Sequence, residues 1–137
     1  MRTLVLDSQA ISELARAKDG ALPSVVLSAL KAALLADSDV FVPAAVLAEQ
    51  YRGGRHDQLV DSCLSRWTCI QVADTDRSLA RRVGNLLGRH GLGSEHHVDA
   101  TVVVTALAAG GGLILTSDLR DLERLADGAV GVLVKAV

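Results

Sequence analysis

The stretch Ala100-Thr101-Val102-Val103-Val104-Thr105-Ala106-Leu107-Ala108-Ala109-Gly110-Gly111-Gly112-Leu113-Ile114-Leu115-Thr116-Ser117 decides the fold. It carries no charged side chain, and its length approaches the ~18 residues at which a membrane span has to be considered. Gly110, Gly111 and Gly112 break it in the middle, however, and its halves differ in character. The first is rich in Ala and Thr, whereas Leu113-Ile114-Leu115-Thr116 reads as a buried strand. A core helix, a glycine turn and a core strand explain the run better than a bilayer does. The expectation is a cytoplasmic domain with no membrane association, its uncharged helix buried on most sides.

The same vocabulary continues outward in both directions. Thr3-Leu4-Val5-Leu6 suits a strand covered on both faces, and Asp7-Ser8 offers capping oxygens for a helix over about residues 9–17, ended by Lys18-Asp19-Gly20. Pro23-Ser24 opens a second helix. Val40-Phe41-Val42 is a second strand, stopped by Pro43, and the helix after it contains Val46, Leu47 and Glu49 and is closed by Gly53-Gly54. An amphipathic helix follows over 58–66, then a third strand over 69–72. Asp74 or Thr75 caps a long helix reaching about His90. Beyond the glycine turn and its strand come a helix over 119–126 and a last strand over 130–134. Short strands alternating with helices leave little room for hairpins and predict an α/β fold. Its short central sheet is parallel, with helices on both faces and right-handed crossovers. No linker or shift of composition marks a boundary, so residues 1–137 read as a single domain.

Composition narrows the chemistry. Half of the 137 residues are hydrophobic but only 2% are aromatic, so Ala, Val and Leu supply the packing. A net charge of −2 excludes nucleic-acid binding through overall positive charge. It leaves room for a nucleic-acid substrate drawn in by local arginines or bound metal. Cys63 and Cys69 fall on a helix and a strand and do not make a disulfide framework. Asp7 interrupts the first apolar run too early for a secretory leader.

In open α/β sheets ligands bind beyond the carboxyl ends of the strands. Asp7 follows one apolar strand directly and Asp118 follows another, and the two converge if those strands are neighbours. Each also has an ordinary alternative as a helix cap. Asp99 is harder to explain that way, because it sits in the first turn of the uncharged helix, where a carboxylate is costly unless a cation, donors or a helix terminus compensates it. Glu49 interrupts an apolar run one turn before a glycine break, with a solvated face shared with Gln50 and Arg52 as its alternative. Taken together, acids aimed at one cleft repel one another and raise each other's pKa values. A divalent cation removes that conflict. Mg²⁺ or Mn²⁺ suits an all-oxygen site and points to phosphoryl chemistry.

Leu4-Val5-Leu6-Asp7-Ser8, Leu47-Ala48-Glu49-Gln50-Tyr51-Arg52-Gly53, Val98-Asp99-Ala100 and Thr116-Ser117-Asp118 resemble, in order and spacing, the successive motifs of PIN-domain nucleases. The nearest likeness is to VapC-type toxins of type II toxin–antitoxin pairs. The resemblance implies a PIN-like three-layer α/β/α fold and a Mg²⁺- or Mn²⁺-dependent endoribonuclease. Asp7, Glu49, Asp99 and Asp118 are its implied catalytic and metal-binding acids. It further implies an RNA substrate, a homodimer and inhibition by a cognate small antitoxin protein. One departure stands out: where the family often has an acid two residues after the last Asp, this chain has Arg120, and Asp121 comes next. Asp121 is expected outside the site, as a solvated first-turn acid.

Other motifs yield less. His96-His97 reads as a polar helix start, since adjacent helical residues point in different directions and no zinc-like spacing accompanies them. No lysine follows the glycine triplet as a phosphate loop requires, and no nucleophile elbow is present. Arg52 and Arg55 are better placed for RNA phosphate than Arg77, Arg81, Arg82 and Arg89, which line a helix surface. Thr116 and Ser117 either cap the next helix or hydrogen-bond water or phosphate at the site. Two further functions fit the same acids: a housekeeping PIN nuclease for RNA processing, and a non-catalytic α/β regulatory module.

Overall fold

Short apolar segments, too short to cross more than one layer, line up side by side in the computed structural model, which describes residues 3–17 and 24–137. In chain order the elements are β1 (Thr3–Leu6), α1 (Ser8–Arg16), α2 (Val25–Leu35), β2 (Val40–Pro43), α3 (Ala44–Gln50) and α4 (Gly54–Arg66). There follow β3 (Ile70–Ala73), α5 (Arg77–Arg89), α6 (His97–Ala108), β4 (Gly112–Thr116), α7 (Leu119–Ala126) and β5 (Val132–Ala136). The sheet order is β3-β2-β1-β4-β5, with every pairing parallel. The chain steps outward from β1 to β3, crosses back, and continues from β4 to β5. The reversal therefore lies between β1 and β4, the place where a doubly wound sheet opens a crevice at its carboxyl edge.

Right-handed crossovers dictate the layers. Connections running from β1 to β3 put α1, α2, α3 and α4 on one face, where α1 packs against the other three. The return puts α5, α6 and α7 on the other face, with α6 packed between α5 and α7 and lying across β1, β2, β4 and β5. This is the expected three-layer α/β/α arrangement with a parallel central sheet.

The opening stretch forms the middle of that structure. Val102, Val103, Val104 and Ala106 of α6 are at most 1% exposed, as are Val5 and Leu6 of β1 and Ile114 and Leu115 of β4. A helix buried on all sides has no polar face on which to place Thr101 and Thr105. Their hydroxyls instead donate back to the carbonyls of His97 and Thr101, at 2.8 and 2.7 Å. After α6 the chain reverses through Gly110 and Gly111 at φ 87° and 107°, values that side chains with a Cβ rarely reach. Gly111 N–H closes the helix on Ala106 at 2.9 Å. Among the described residues, no helix is long and apolar enough to cross a membrane.

Several boundaries differ from expectation for identifiable reasons. The helix expected over 58–66 starts at Gly54, because Asp57 Oδ1 accepts from the backbone N–H groups of Arg52 and Gly53 and so organises its first turn. Asp76, not Asp74 or Thr75, caps α5, accepting from Leu79 N–H at 2.8 Å. β2 continues through Pro43, which pairs with Ala73, before α3 begins. β5 starts two residues late because Val132 N–H first closes a turn on Ala129. Ser24 caps α2 as expected, accepting from Leu27 N–H. Pro23 and the expected stop at Lys18-Asp19-Gly20 lie outside the described residues.

Candidate active site

Because β1 and β4 are neighbours in register, with Leu6 opposite Leu115, both chains leave the sheet at the same point. Asp7 follows β1 and is 8% exposed. Its carboxylate does cap α1, accepting from the N–H groups of Gln9 and Ala10 at 3.1 and 3.3 Å. The fully buried Thr116, last residue of β4, supplies the link to Asp118. Its hydroxyl hydrogen-bonds the Asp7 carboxylate and accepts from Asp118 N–H at 2.9 Å. One hydroxyl thus fixes both acids across the crevice. Asp118 stands at the N-cap position of α7.

Glu49 and Asp99 arrive from opposite faces. Glu49, at the end of α3, accepts a 2.7 Å hydrogen bond from Ser8 Oγ at the start of α1, which turns it toward Asp7. Asp99 lies in the first turn of α6, half-buried, and does not cap it: the N-cap is His96. Among the described residues no hydrogen bond reaches the Asp99 carboxylate. All four acids line a single cleft of ≈ 630 Å³.

Asp121 lines it as well, against expectation. α7 begins directly after Asp118, and three residues along a helix return the chain to nearly the same face. Asp121 consequently lies close enough to Asp118 for its charge to raise that acid's pKa, while Arg120 is exposed and outside the cleft. His96 also enters the cleft, whereas His97 stays outside it, exposed. Of the basic residues, Arg52 lies in the lining as expected, its Nη1 donating to the carbonyls of Ala48 and Tyr51. Arg16 and His56 join it, whereas Arg55 does not. Arg16 was missed because nothing in α1's own sequence says which exposed residue faces the crevice.

The electrostatics follow from this crowding. Burial, followed by the charges of Asp118, Asp121, Asp7 and Glu49, pushes Asp99 up to about 6. Asp7 is raised by burial, against the downward pull of Thr116 and the two amides. Asp118 is raised by partial desolvation and the Asp121 carboxylate, with the Asp121 backbone N–H and then His96 pulling the other way. An acid whose pKa is higher folded than unfolded binds more protons in the folded state, so stability falls as pH rises between the two values. For Asp99 that window runs from the ordinary 3.8 to about 6. In EDTA the protein is therefore expected to melt several degrees lower at pH 7.5 than at pH 5, and saturating Mn²⁺ at pH 7.5 should restore the difference. Ligand at a hundredfold over its Kd contributes about 2.7 kcal/mol. A melting temperature in EDTA that climbs steadily from pH 5 to 7.5 would contradict this account of the cluster.

The donor set fits a divalent cation. Among the described residues the carboxylates converge without matching cations at hydrogen-bond distance, and their mutual repulsion is the conflict that an oxygen-seeking ion relieves.

Comparison with known proteins gives a consistent result. The family model described as PIN domain matches residues 4–128. No curated protein matches the chain. Among solved structures, the chain resembles VapBC2 from Rickettsia felis bound to a DNA fragment from their promoter, at 15% identity and a TM-score of 0.69, covering 98% of each chain. It likewise resembles a toxin–antitoxin complex from Klebsiella pneumoniae, at 15% identity and TM-score 0.66 over 95% of each chain. DNA-bound VapBC from Salmonella typhimurium gives 17% identity and TM-score 0.65, over 99% of this chain and 98% of that one. At these identities the likeness is one of fold.

Proposed function

Since the chain belongs to the PIN domain family, we propose that it is a divalent-metal-dependent endoribonuclease acting as the toxin of a toxin–antitoxin pair. The observation that carries this reading is the convergence of Asp7, Glu49, Asp99 and Asp118, from four separate elements, on one cleft at the switch point of the sheet. We assign these four as the metal-binding and catalytic acids.

When bound, Mg²⁺ or Mn²⁺ polarises the phosphodiester and activates water for in-line attack. The protein's contribution is placement. Thr116 and the α1 amides fix Asp7, Ser8 fixes Glu49, and Thr116 anchors the backbone of Asp118. Asp99, with no hydrogen bond among the described residues, keeps its oxygens for the cation. Arg16 and Arg52 on the cleft wall hold backbone phosphate, which brings RNA in without reading its sequence. The exposed cleft admits a flexible single strand, the form in which RNA is usually recognised.

The toxin assignment draws on the fold likeness to VapBC and toxin–antitoxin complexes, and it carries with it a small antitoxin partner and a homodimer. Its test is made in cells. Induced expression should arrest growth with loss of intact RNA, coexpression of a short reading frame encoded beside it should relieve the arrest, and Asp118→Asn should be harmless. If induction leaves growth unchanged while the purified protein still cleaves RNA, a housekeeping PIN nuclease is the correct assignment.

A further inference from the structure

We propose that His96 is a nitrogen ligand of the metal centre, forming with Asp99 and Asp121 a cation position that favours a first-row transition ion over Mg²⁺. The inference rests on the metal-dependent reading above and adds a ligand to it. One imidazole nitrogen of His96 and one carboxylate oxygen from each of Asp99 and Asp121 lie within 4.8 Å of one another, and all three residues are half-buried. Ligands of a single six-coordinate ion bonded at ~2.1 Å sit about 3 to 4 Å apart. Small side-chain rotations therefore seat all three on one ion.

The local fold explains how a residue that reads as a polar helix start comes to face the acids. A 3-10 turn over Ser94–His96 runs straight into α6, so His96 and Asp99, three apart, share a face of one continuous helical run. α7 packs against α6 and brings Asp121 opposite them. His97, turned by one residue, is exposed and lies outside the cleft. Among the described residues the ion-pair partner of His96 is Glu95, whose Oε1 is 3.9 Å from Nε2, too far for a hydrogen bond, on a side chain that is 70% exposed.

Imidazole and Mg²⁺ are poorly matched, because Mg²⁺ takes hard oxygen ligands and retains several waters. First-row transition ions accept nitrogen and oxygen together. Asp7, Glu49 and Asp118 themselves offer only oxygen and supply no such preference, and His56, the other imidazole in the lining, does not join the three ligand atoms that come together. Removing His96 is thus expected to remove selectivity while leaving a metal centre behind.

The test titrates the metal-stripped full chain with Mn²⁺ and with Mg²⁺ by calorimetry at pH 7.5, for wild type, His96→Ala and His96→Asp. Pulsed EPR of each Mn²⁺-loaded protein reports directly bonded nitrogen. Wild type should show ¹⁴N coupling, and both variants should lose it. In His96→Ala, Mn²⁺ affinity should fall by about 10- to 100-fold, the scale on which losses around metal sites register. Mg²⁺ affinity should change by less than about threefold. His96→Asp should recover Mn²⁺ binding without the nitrogen signal and narrow the preference between the ions. If wild type binds both ions but lacks ¹⁴N coupling, or if coupling and preference persist in His96→Ala, the His96 assignment is overturned and the carboxylate centre stands. If wild type binds neither ion, both are overturned.

Discussion

Asp99→Asn is expected to lower kcat/KM for RNA cleavage by about a thousandfold or more, and at the same time to raise the melting temperature of the metal-free protein. The first effect follows from its position. Asp99 projects from a helix that is otherwise uncharged, with no hydrogen bond among the described residues and a pKa of about 6 imposed by burial and by four surrounding carboxylates. A neutral amide of the same size keeps the packing and removes one anionic ligand. Losing a thousandfold corresponds to about 4 kcal/mol of transition-state stabilisation, a reasonable share of what a bound cation supplies. The second effect has the same origin. Without metal, the Asp99 charge is a liability at neutral pH, and the amide relieves it. A residue with a purely structural role would not move activity and stability in opposite directions. Single-turnover cleavage with Mn²⁺ and thermal melts in EDTA at pH 7.5 measure the two. Unchanged cleavage would remove Asp99 from the site, and a lowered melting temperature would make it a packing residue.

Gly112→Ala is expected to destabilise the fold by on the order of 3 kcal/mol, the upper end of overpacking costs. A Cβ at Gly112 would stand 2.5 Å from the carbonyl oxygen of Thr3, a backbone atom of the adjacent strand. No rotamer change relieves that contact, so β1 and β4 must separate. Set against a total of roughly 5–15 kcal/mol for a domain, the loss is a substantial fraction. It also falls between the two strands that deliver Asp7 and Asp118, so Mn²⁺ affinity should decline with stability. Gly84→Ala, in α5, is the matched control. A Cβ there meets nothing within 4 Å, and alanine is favoured over glycine in a helix by up to about 1 kcal/mol. Urea unfolding of the two variants should therefore give shifts of opposite sign. A Gly112→Ala midpoint within error of wild type would mean that β1 and β4 are not packed this closely.

The layered fold was legible because its signals are local and strong. An uncharged helix, a glycine break and an apolar strand can be arranged in few ways, and the acids at two strand ends fall together once β1 and β4 are adjacent. Helix starts were less legible where the organising side chain lies inside the helix, as with Asp57, whose bonds to Arg52 and Gly53 N–H begin α4 four residues early. In the cleft, Asp7 serves both as a cap and as a cleft acid, so those two alternatives were never exclusive. A two-residue spacing after Asp118 leads to Arg120 and leaves Asp121 outside the site. With α7 starting at Leu119, a three-residue step keeps it on the face of Asp118, and that geometry was available from helical periodicity alone. His96 was missed for a different reason. Adjacent helical residues do diverge, but which of the two histidines turns inward depends on the 3-10 turn before α6, and no residue in 94–96 announces it.

The central claim is that carboxylates from separate elements share a divalent cation in order to cut RNA. Its most direct test is single-turnover cleavage of an end-labelled structured RNA by metal-stripped protein, before and after addition of Mn²⁺ or Mg²⁺, with Asp7→Asn and Asp99→Asn alongside. The account predicts no cleavage in EDTA, internal cuts restored by either ion in wild type, and loss of at least two orders of magnitude in both variants. Cleavage that is indifferent to EDTA, or equal in wild type and both variants, would contradict it.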